Sequence, residues 1–217
     1  MSKKTDSGVS LAVVKRLPRY FRYLRLLLNE NTLRISSNDL AELMGVTASQ
    51  IRQDLNCFGG FGQQGYGYNV TYLYSKISAI LGITENYQAI IIGGGRLGQA
   101  LASSPVFTKR GVEVCGIFDV NPEVIGKEID GKKILHIDSL KEFCKNEVVD
   151  IAVLTLPSEY AEEGAKLAVE VGVKGIWNFT SKDITSRDFP GVRIQSVHMG
   201  DSLMLLCYDI KENGNVE

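Results

Sequence analysis

Gln88-Ala89-Ile90-Ile91-Ile92-Gly93-Gly94-Gly95-Arg96-Leu97-Gly98, then a helix-length segment, then Glu113-Val114-Cys115-Gly116-Ile117-Phe118-Asp119, reads as a βαβ unit built to hold a dinucleotide. Gly93, Gly95 and Gly98 satisfy G-x-G-x-x-G directly after an apolar strand and at the opening of a helix, where that motif carries meaning. The first glycine permits the turn out of the strand. The second lets the backbone approach a pyrophosphate, and the third lets helix and strand pack closely. Backbone N–H groups at the helix N-terminus then face the phosphates, so Gly93, Gly94, Gly95, Arg96, Leu97 and Gly98 form the candidate cradle. Asp119 closes the second strand 21 residues beyond Gly98, with Val120 next to it. A carboxylate there accepts hydrogen bonds from a ribose diol and repels a 2′-phosphate, which favours NAD(H) over NADP(H). A cradle for another nucleotide, such as coenzyme A, is the alternative reading.

Downstream, apolar runs predict strands at 88–92, 113–118, 150–156, 175–179 and 193–198, with a short one near 133–137. Helices are expected at 96–108, 139–145 and 159–171. Strands alternating with helices imply an α/β, Rossmann-like, doubly wound parallel sheet. Ligands bind outside the carboxyl ends of such strands, which makes Thr155-Leu156-Pro157 and Asn178-Phe179 candidates for lining a nicotinamide; ordinary strand-to-loop chemistry is the rival explanation. The two histidines, His136 and His198, stand alone in short strands, and no Ser/His/Asp set or metal spacing emerges. Hydride transfer also needs a substrate-positioning domain, and about 20 residues remain beyond the βαβ array. A sensor fits better than an enzyme. Asp201 to Ile210 is too apolar for a free tail and must be buried, on its own body or on a partner.

Upstream of the glycine loop the texture is helical. Ser10 is a candidate N-cap, and Pro18 interrupts or restarts the helix. Leu17, Tyr20, Phe21, Leu24, Leu27 and Leu28 then recur at helical spacing to about Asn29, with Arg19, Arg22 and Arg25 on the other side. Ser36 to Asp39 opens a short helix, Leu40 to Met44. Gly45-Val46 turns the chain, and Thr47 with Gln50 forms a capping box before Ile51-Arg52-Gln53-Asp54-Leu55. Leu40, Leu43, Val46, Ile51 and Leu55 are expected inside. Two short helices across a glycine turn are a helix-turn-helix signature. Phe58 to Tyr68 alternates glycine with aromatic and polar residues and reads as a β-hairpin wing; Tyr72 to Leu81 is a helix ended by Gly82.

On the second helix, Thr47, Ser49, Gln50, Arg52, Gln53 and Asn56 are candidate DNA contacts, since Arg reads guanine and Gln or Asn reads adenine. Lys15, Arg16, Arg19 and Arg22 are candidate phosphate contacts. The wing lacks Lys and Arg and offers Gly59, Gly60, Gln63, Gln64 and Tyr66. A winged helix used for protein contacts is the alternative. Residues 1–58 carry nine basic and five acidic residues, while the remainder carries fifteen basic and twenty acidic, an asymmetry that points a polyanion at the N-terminal part. Cys57, Cys115, Cys144 and Cys207 are scattered and expected free and mostly buried in a reducing cytosol. No apolar run approaches a membrane span, and no secretory signal is seen, so a cytoplasmic location is expected. The division reads as a winged-helix domain at 1–82, a dinucleotide domain at 83–198 and a C-terminal segment at 199–217.

With both modules placed, the chain resembles the Rex family of redox-sensing transcriptional repressors. The resemblance covers nearly the whole chain. It rests on Arg16-Leu17-Pro18-Arg19-Tyr20, on Thr47 to Leu55, on Phe58-Gly59 and Phe61-Gly62 with Gly65 to Tyr68, and on Gly93 to Gly98 with Phe118-Asp119. Leu154 to Pro157, Gly175 to Phe179 and Val197 to Leu203 add to it. The resemblance implies a homodimer with a C-terminal helix exchanged between partners. It implies binding to operator DNA when free or loaded with NAD+, and subunit rotation with release on binding NADH. It also implies that Arg16 and Asp201, at positions the family ties across the domains, form a state-dependent ion pair. The chain departs from the family at Ser104, where many members carry tyrosine, at Gln63-Gln64, which replaces a basic pair, and at His198-Met199-Gly200.

Overall fold

Ser10 and Pro18 set the first two helices. The Ser10 hydroxyl accepts the Ala12 N–H at 3.3 Å to open α1 (Leu11–Val14), and Pro18 occupies the first turn of α2 (Leu17–Asn29), where no N–H is missed. This is a computed structural model; it describes residues 10–57, 62–63 and 66–213, in two units, Met1–Glu85 and Asn86–Glu217. Gly59, Gly60 and Gln64 lie outside the described residues.

In the first unit, β1 (Arg34–Ile35) precedes α3 (Ser37–Met44), whose N-cap Ser36 accepts the Asp39 N–H. Gly45 closes α3 at φ 60°, a left-handed conformation that glycine adopts without Cβ strain, and Thr47 caps α4 (Ala48–Asn56) by accepting the Gln50 N–H. β2 (Gly62–Gln63) and β3 (Gly67–Asn69) pair antiparallel, β1 adds to β3, and α5 (Val70–Ile80) follows. One core gathers Leu17, Tyr20, Leu24, Leu40, Met44, Ile51, Leu55, Leu73 and Ile77, and the Phe21 and Tyr74 rings stack at 4.8 Å. Leu43, expected inside, is 48% exposed. α3 buries Leu40, Ala41 and Met44, and Leu43 falls outside that stripe.

The second unit is wound around β4 (Tyr87–Ile92). α6 (Arg96–Ala102) leads to β5 (Val112–Asp119), β6 (Glu128–Ile129) and β7 (Lys132–His136). Then come α7 (Leu140–Asn146), β8 (Ile151–Leu154), α8 (Ala161–Glu170), β9 (Gly175–Asn178), β10 (Arg193–Ser196) and α9 (Met199–Asn213). The sheet order is β10-β9-β8-β4-β5-β7-β6, parallel throughout except for β6. Ile90 and Ile92 face one core with α7 and α8, while Ile91 faces the other with Phe107 and Val153. Strands buried on both faces are why the sequence shows unbroken apolar runs. The chain leaves β4 toward β5 on one side and returns to β8 on the other, so a crevice opens at the carboxyl ends between β4 and β8.

α6 stops at Ala102, short of the expected 108. Pro105 disfavours helix at Ser104 before it, and the segment resumes only as a short 3-10 turn at Thr108–Arg110. β6 was not anticipated; Asp130 (φ 49°) and Gly131 (φ 74°) make the tight turn that pairs it with β7, and an Asp-Gly pair between short runs is the signal that reveals such a hairpin.

Candidate cofactor cradle and nucleic-acid interface

Gly93 leaves β4 at φ 109°, and a Cβ there would meet Thr155 backbone and hydroxyl atoms at 2.8–2.9 Å. At Gly98 a Cβ would lie 1.9 Å from the Gly93 carbonyl oxygen. Both positions therefore demand glycine for packing reasons. Gly95 is different. It is exposed, and a Cβ there would meet nothing within 4 Å. The space over the second glycine is open on the side a pyrophosphate would approach, so the residues present fit a dinucleotide.

Asp119 ends β5 and turns its carboxylate to this loop. Oδ2 accepts the Gly94 N–H at 2.5 Å, and Oδ1 accepts the Asn121 N–H at 2.8 Å. Each oxygen keeps a lone pair, so the group is oriented and still able to receive a ribose diol. Val120 beside it is exposed. Arg96 is exposed at the start of α6 and Leu97 is half-buried.

Thr155 follows β8 across the crevice. Its hydroxyl donates to the Gly93 carbonyl at 2.7 Å and reaches the Ile92 carbonyl at 3.3 Å. Leu156 covers Gly164 of α8, where a Cβ would lie 2.5 Å from its Cδ1, and Pro157 is exposed at the next turn. Asn178 is fully buried with its amide saturated: Nδ2 donates to Lys182 O and Ser196 Oγ, and Oδ1 accepts from Thr180 N and Oγ1. Its side chain anchors the end of β9 and has no atom left for a cofactor, which corrects the expectation for it. Phe179 is half-buried, edge-on to Trp177 at 4.6 Å. Sequence reasoning missed Gln99, whose Nε2 donates to the Gly94 carbonyl at 2.7 Å. A polar residue one position beyond the last motif glycine was its only signal. Ser104 lies at the opposite, amino-terminal end of the strands, lining a cleft of about 450 Å³ with Gln88, Val112 and Lys132 near the starts of β4, β5 and β7.

On the helix-turn-helix, Thr47, Ser49, Arg52, Gln53 and Asn56 are exposed along one side of α4. Arg52 donates to the Ser37 hydroxyl at 3.0 Å. Tyr66 of the wing is exposed, and Arg34 lies over its ring at 6.0 Å. Gln50 is turned inward: Nε2 donates to Asp54 Oδ1 at 2.7 Å. Asp54 is fully buried, yet its carboxylate also receives Arg16 Nε at 2.7 Å, Arg16 Nη2 at 2.6 Å and the Tyr20 hydroxyl at 2.9 Å. Burial pushes the Asp54 carboxyl up, but bonds from Arg16, Tyr20 and Gln50 outweigh it and hold it below its ordinary range. Burial, then the same carboxylate, raises the Tyr20 phenol. Arg19 donates through Nη2 to the carbonyl of Met44, the last residue of α3. Arg16 and Arg19, expected on phosphates, are both engaged inside their own unit.

The cysteines correct another expectation. Cys57 and Cys207 are exposed, and Cys115 and Cys144 only half-buried; burial pushes the Cys115 thiol up to about 11 and also raises Cys144. His136 caps the turn after β7, with Nδ1 accepting the Asp138 N–H at 3.3 Å, and His198 Nε2 lies 3.2 Å from Asp183 Oδ1. No group of three or more metal-ligating side chains occurs among the described residues, and none of their helices is long and apolar enough to cross a membrane. α9 is exposed along its length, Leu203, Met204, Leu205, Tyr208 and Ile210 included, so the apolar segment does not bury itself on its own body.

Two family models match. A CoA binding domain covers residues 84–182, and "Putative DNA-binding protein N-terminus" covers 8–56. The chain is 55% identical over 212 residues, 98% of its length and 95% of the relative's, to a redox-sensing transcriptional repressor Rex from Caldicellulosiruptor saccharolyticus. It is 49% identical to one from Thermoanaerobacter pseudethanolicus, across 98% of this chain and 93% of that one. A crystal structure of RSP in complex with beta-NAD+ and operator DNA superposes with TM-score 0.87 at 46% identity, covering 95% of this chain and 94% of that one. RSP in complex with beta-NADH superposes with TM-score 0.85 at 44% identity, covering 97% of both.

Proposed function

The chain belongs to the Rex family of redox-sensing transcriptional repressors, and from that footing we propose that it holds double-stranded operator DNA when free or loaded with NAD+ and releases it on binding NADH. The observation that carries this reading is an open glycine cradle and a helix-turn-helix in one chain. Gly93 to Gly98 hold the pyrophosphate, Asp119 receives the adenosine ribose, and Leu156, Pro157 and Phe179 border the nicotinamide end. The bound cofactor supplies a ring that is cationic when oxidised and neutral when reduced. Apolar surroundings at that ring favour the neutral form. Moving a two-state equilibrium from 1:99 to 99:1 takes a ligand that binds the favoured state about 10⁴-fold more tightly than the other, and NADH must supply that preference for the released state. Thr47, Ser49, Arg52, Gln53 and Asn56 face DNA, with the wing at Gly59, Gly60, Gln63, Gln64 and Tyr66.

We assign Arg16 and Asp201 as the state-dependent pair. Arg16 then has two carboxylates to choose from, and leaving Asp54 strands a buried charge on the DNA-reading helix. The protein works as a cytoplasmic homodimer, α9 being covered by a second copy with which it is exchanged, and it catalyses no turnover. An operator-binding assay titrated with NADH at fixed NAD+ tests the function: progressive release is expected, and no NADH-dependent release sinks it. A coenzyme A sensor is the second reading, favoured by the family model over 84–182. It predicts retention on immobilised coenzyme A and none on NADH; the expected result is the reverse.

A further inference from the structure

Thr155 and Gln99 grip the same short stretch of backbone from two elements. The Thr155 hydroxyl, just past β8, donates to the Gly93 carbonyl at 2.7 Å, and the Gln99 amide, on α6, donates to the Gly94 carbonyl at 2.7 Å. From β5, Asp119 holds the N–H of Gly94. Both loop carbonyls are thus drawn onto protein groups. A carbonyl turned outward would aim the negative end of its dipole at a pyrophosphate. Glycine offers the least resistance to such a turn, since it adopts either sign of φ.

We propose that Gln99 and Thr155 are positioning residues of the dinucleotide cradle, setting its affinity for the pyrophosphate by locking the Gly93 and Gly94 carbonyls away from it. This rests on the glycine loop being a dinucleotide site. It gives Thr155 a role at the phosphates instead of the nicotinamide, and gives Gln99 a role where none was assigned.

The test compares NADH with ADP, which shares the pyrophosphate and lacks the nicotinamide, by calorimetry on the full chain. Thr155→Val and Gln99→Met should each weaken both ligands about three- to tenfold, the worth of one neutral hydrogen bond. Thr155→Ser, which keeps the hydroxyl, should bind like the parent. Ligand-free melting temperatures should stay within about 3 °C. Unchanged affinity in both variants overturns the proposal, as does a loss confined to NADH, which would put these side chains at the nicotinamide. Loss of affinity together with collapse of the ligand-free fold in both variants also overturns it, because the role is then only structural. If the parent chain binds neither ligand, the dinucleotide reading itself has failed, an outcome distinct from a parent that binds and variants that bind equally.

Discussion

Gly95 is the residue at which folding and binding separate most cleanly. Its φ of −69° suits any residue, and a Cβ would meet nothing in the free chain. Gly95→Ala should therefore melt within about 2 °C of the parent while its NADH affinity falls at least about tenfold, because the methyl occupies ligand space. Calorimetry beside thermal denaturation checks both halves. Asp119→Ala should weaken NAD(H) and narrow its preference over NADP(H); unchanged selectivity would contradict the ribose role. Because Asp119 also holds the Gly94 N–H, the variant should bind less of either cofactor. Asp54 makes a third case. Its carboxyl lies below the ordinary range, so its contribution to stability is complete above the unfolded value of about 3.9 and is lost as pH falls through the lower folded value. Arg16→Ala leaves that buried carboxylate short of its cation and should cost about 3 kcal/mol, the low end for a broken buried pair because Arg16 is itself 37% exposed. Chemical denaturation at neutral pH, repeated as pH is lowered through the folded value, measures the cost and its disappearance.

Among the elements, the helix-turn-helix shows how little of a helix face is free to read DNA. α4 spends Ile51, Asp54 and Leu55 on the core, and Gln50 on Asp54, leaving Ser49, Arg52, Gln53 and Asn56 toward solvent. Arg19 bonds the last carbonyl of α3, where a cation also meets the negative end of the helix dipole. Arg19→Ala should lower stability by about 1 kcal/mol and leave the salt dependence of operator binding unchanged. A phosphate contact would instead reduce the slope of log affinity against log salt by about one unit. The capping serines and threonines, the glycine turn and the amphipathic stripe of α2 were all legible in the sequence, since each concerns residues within four positions of one another. Leu43 was misplaced because periodicity alone does not say where a short helix centres its buried stripe.

For the whole molecule, α9 is the element that most needs explaining. Exposed Leu203, Met204, Leu205, Leu206, Tyr208 and Ile210 gather apolar surface of the kind that marks an interaction site. Truncation after Val197 should convert a dimer to monomers in size-exclusion chromatography with light scattering, and weaken operator binding, because two half-sites are then no longer held together. A truncated chain that stays dimeric would place the interface elsewhere.

The sequence by itself determined the order of the elements other than the short strands β1 and β6, the parallel sheet, the glycine cradle and the helix-turn-helix. Hydrophobic period, capping and the backbone demands of glycine act over a few residues and leave their mark locally. Only the tertiary structure decided which polar side chains were already spoken for. Arg16 meets Asp54 across 38 residues, Asp119 meets Gly94 across 25, and Thr155 meets Gly93 across 62. Strand order and helix crossing bring those groups together, and neither is written in local spacing. A residue chosen from the sequence for a ligand, as Asn178 was, proves to belong to its own fold when its hydrogen bonds are counted.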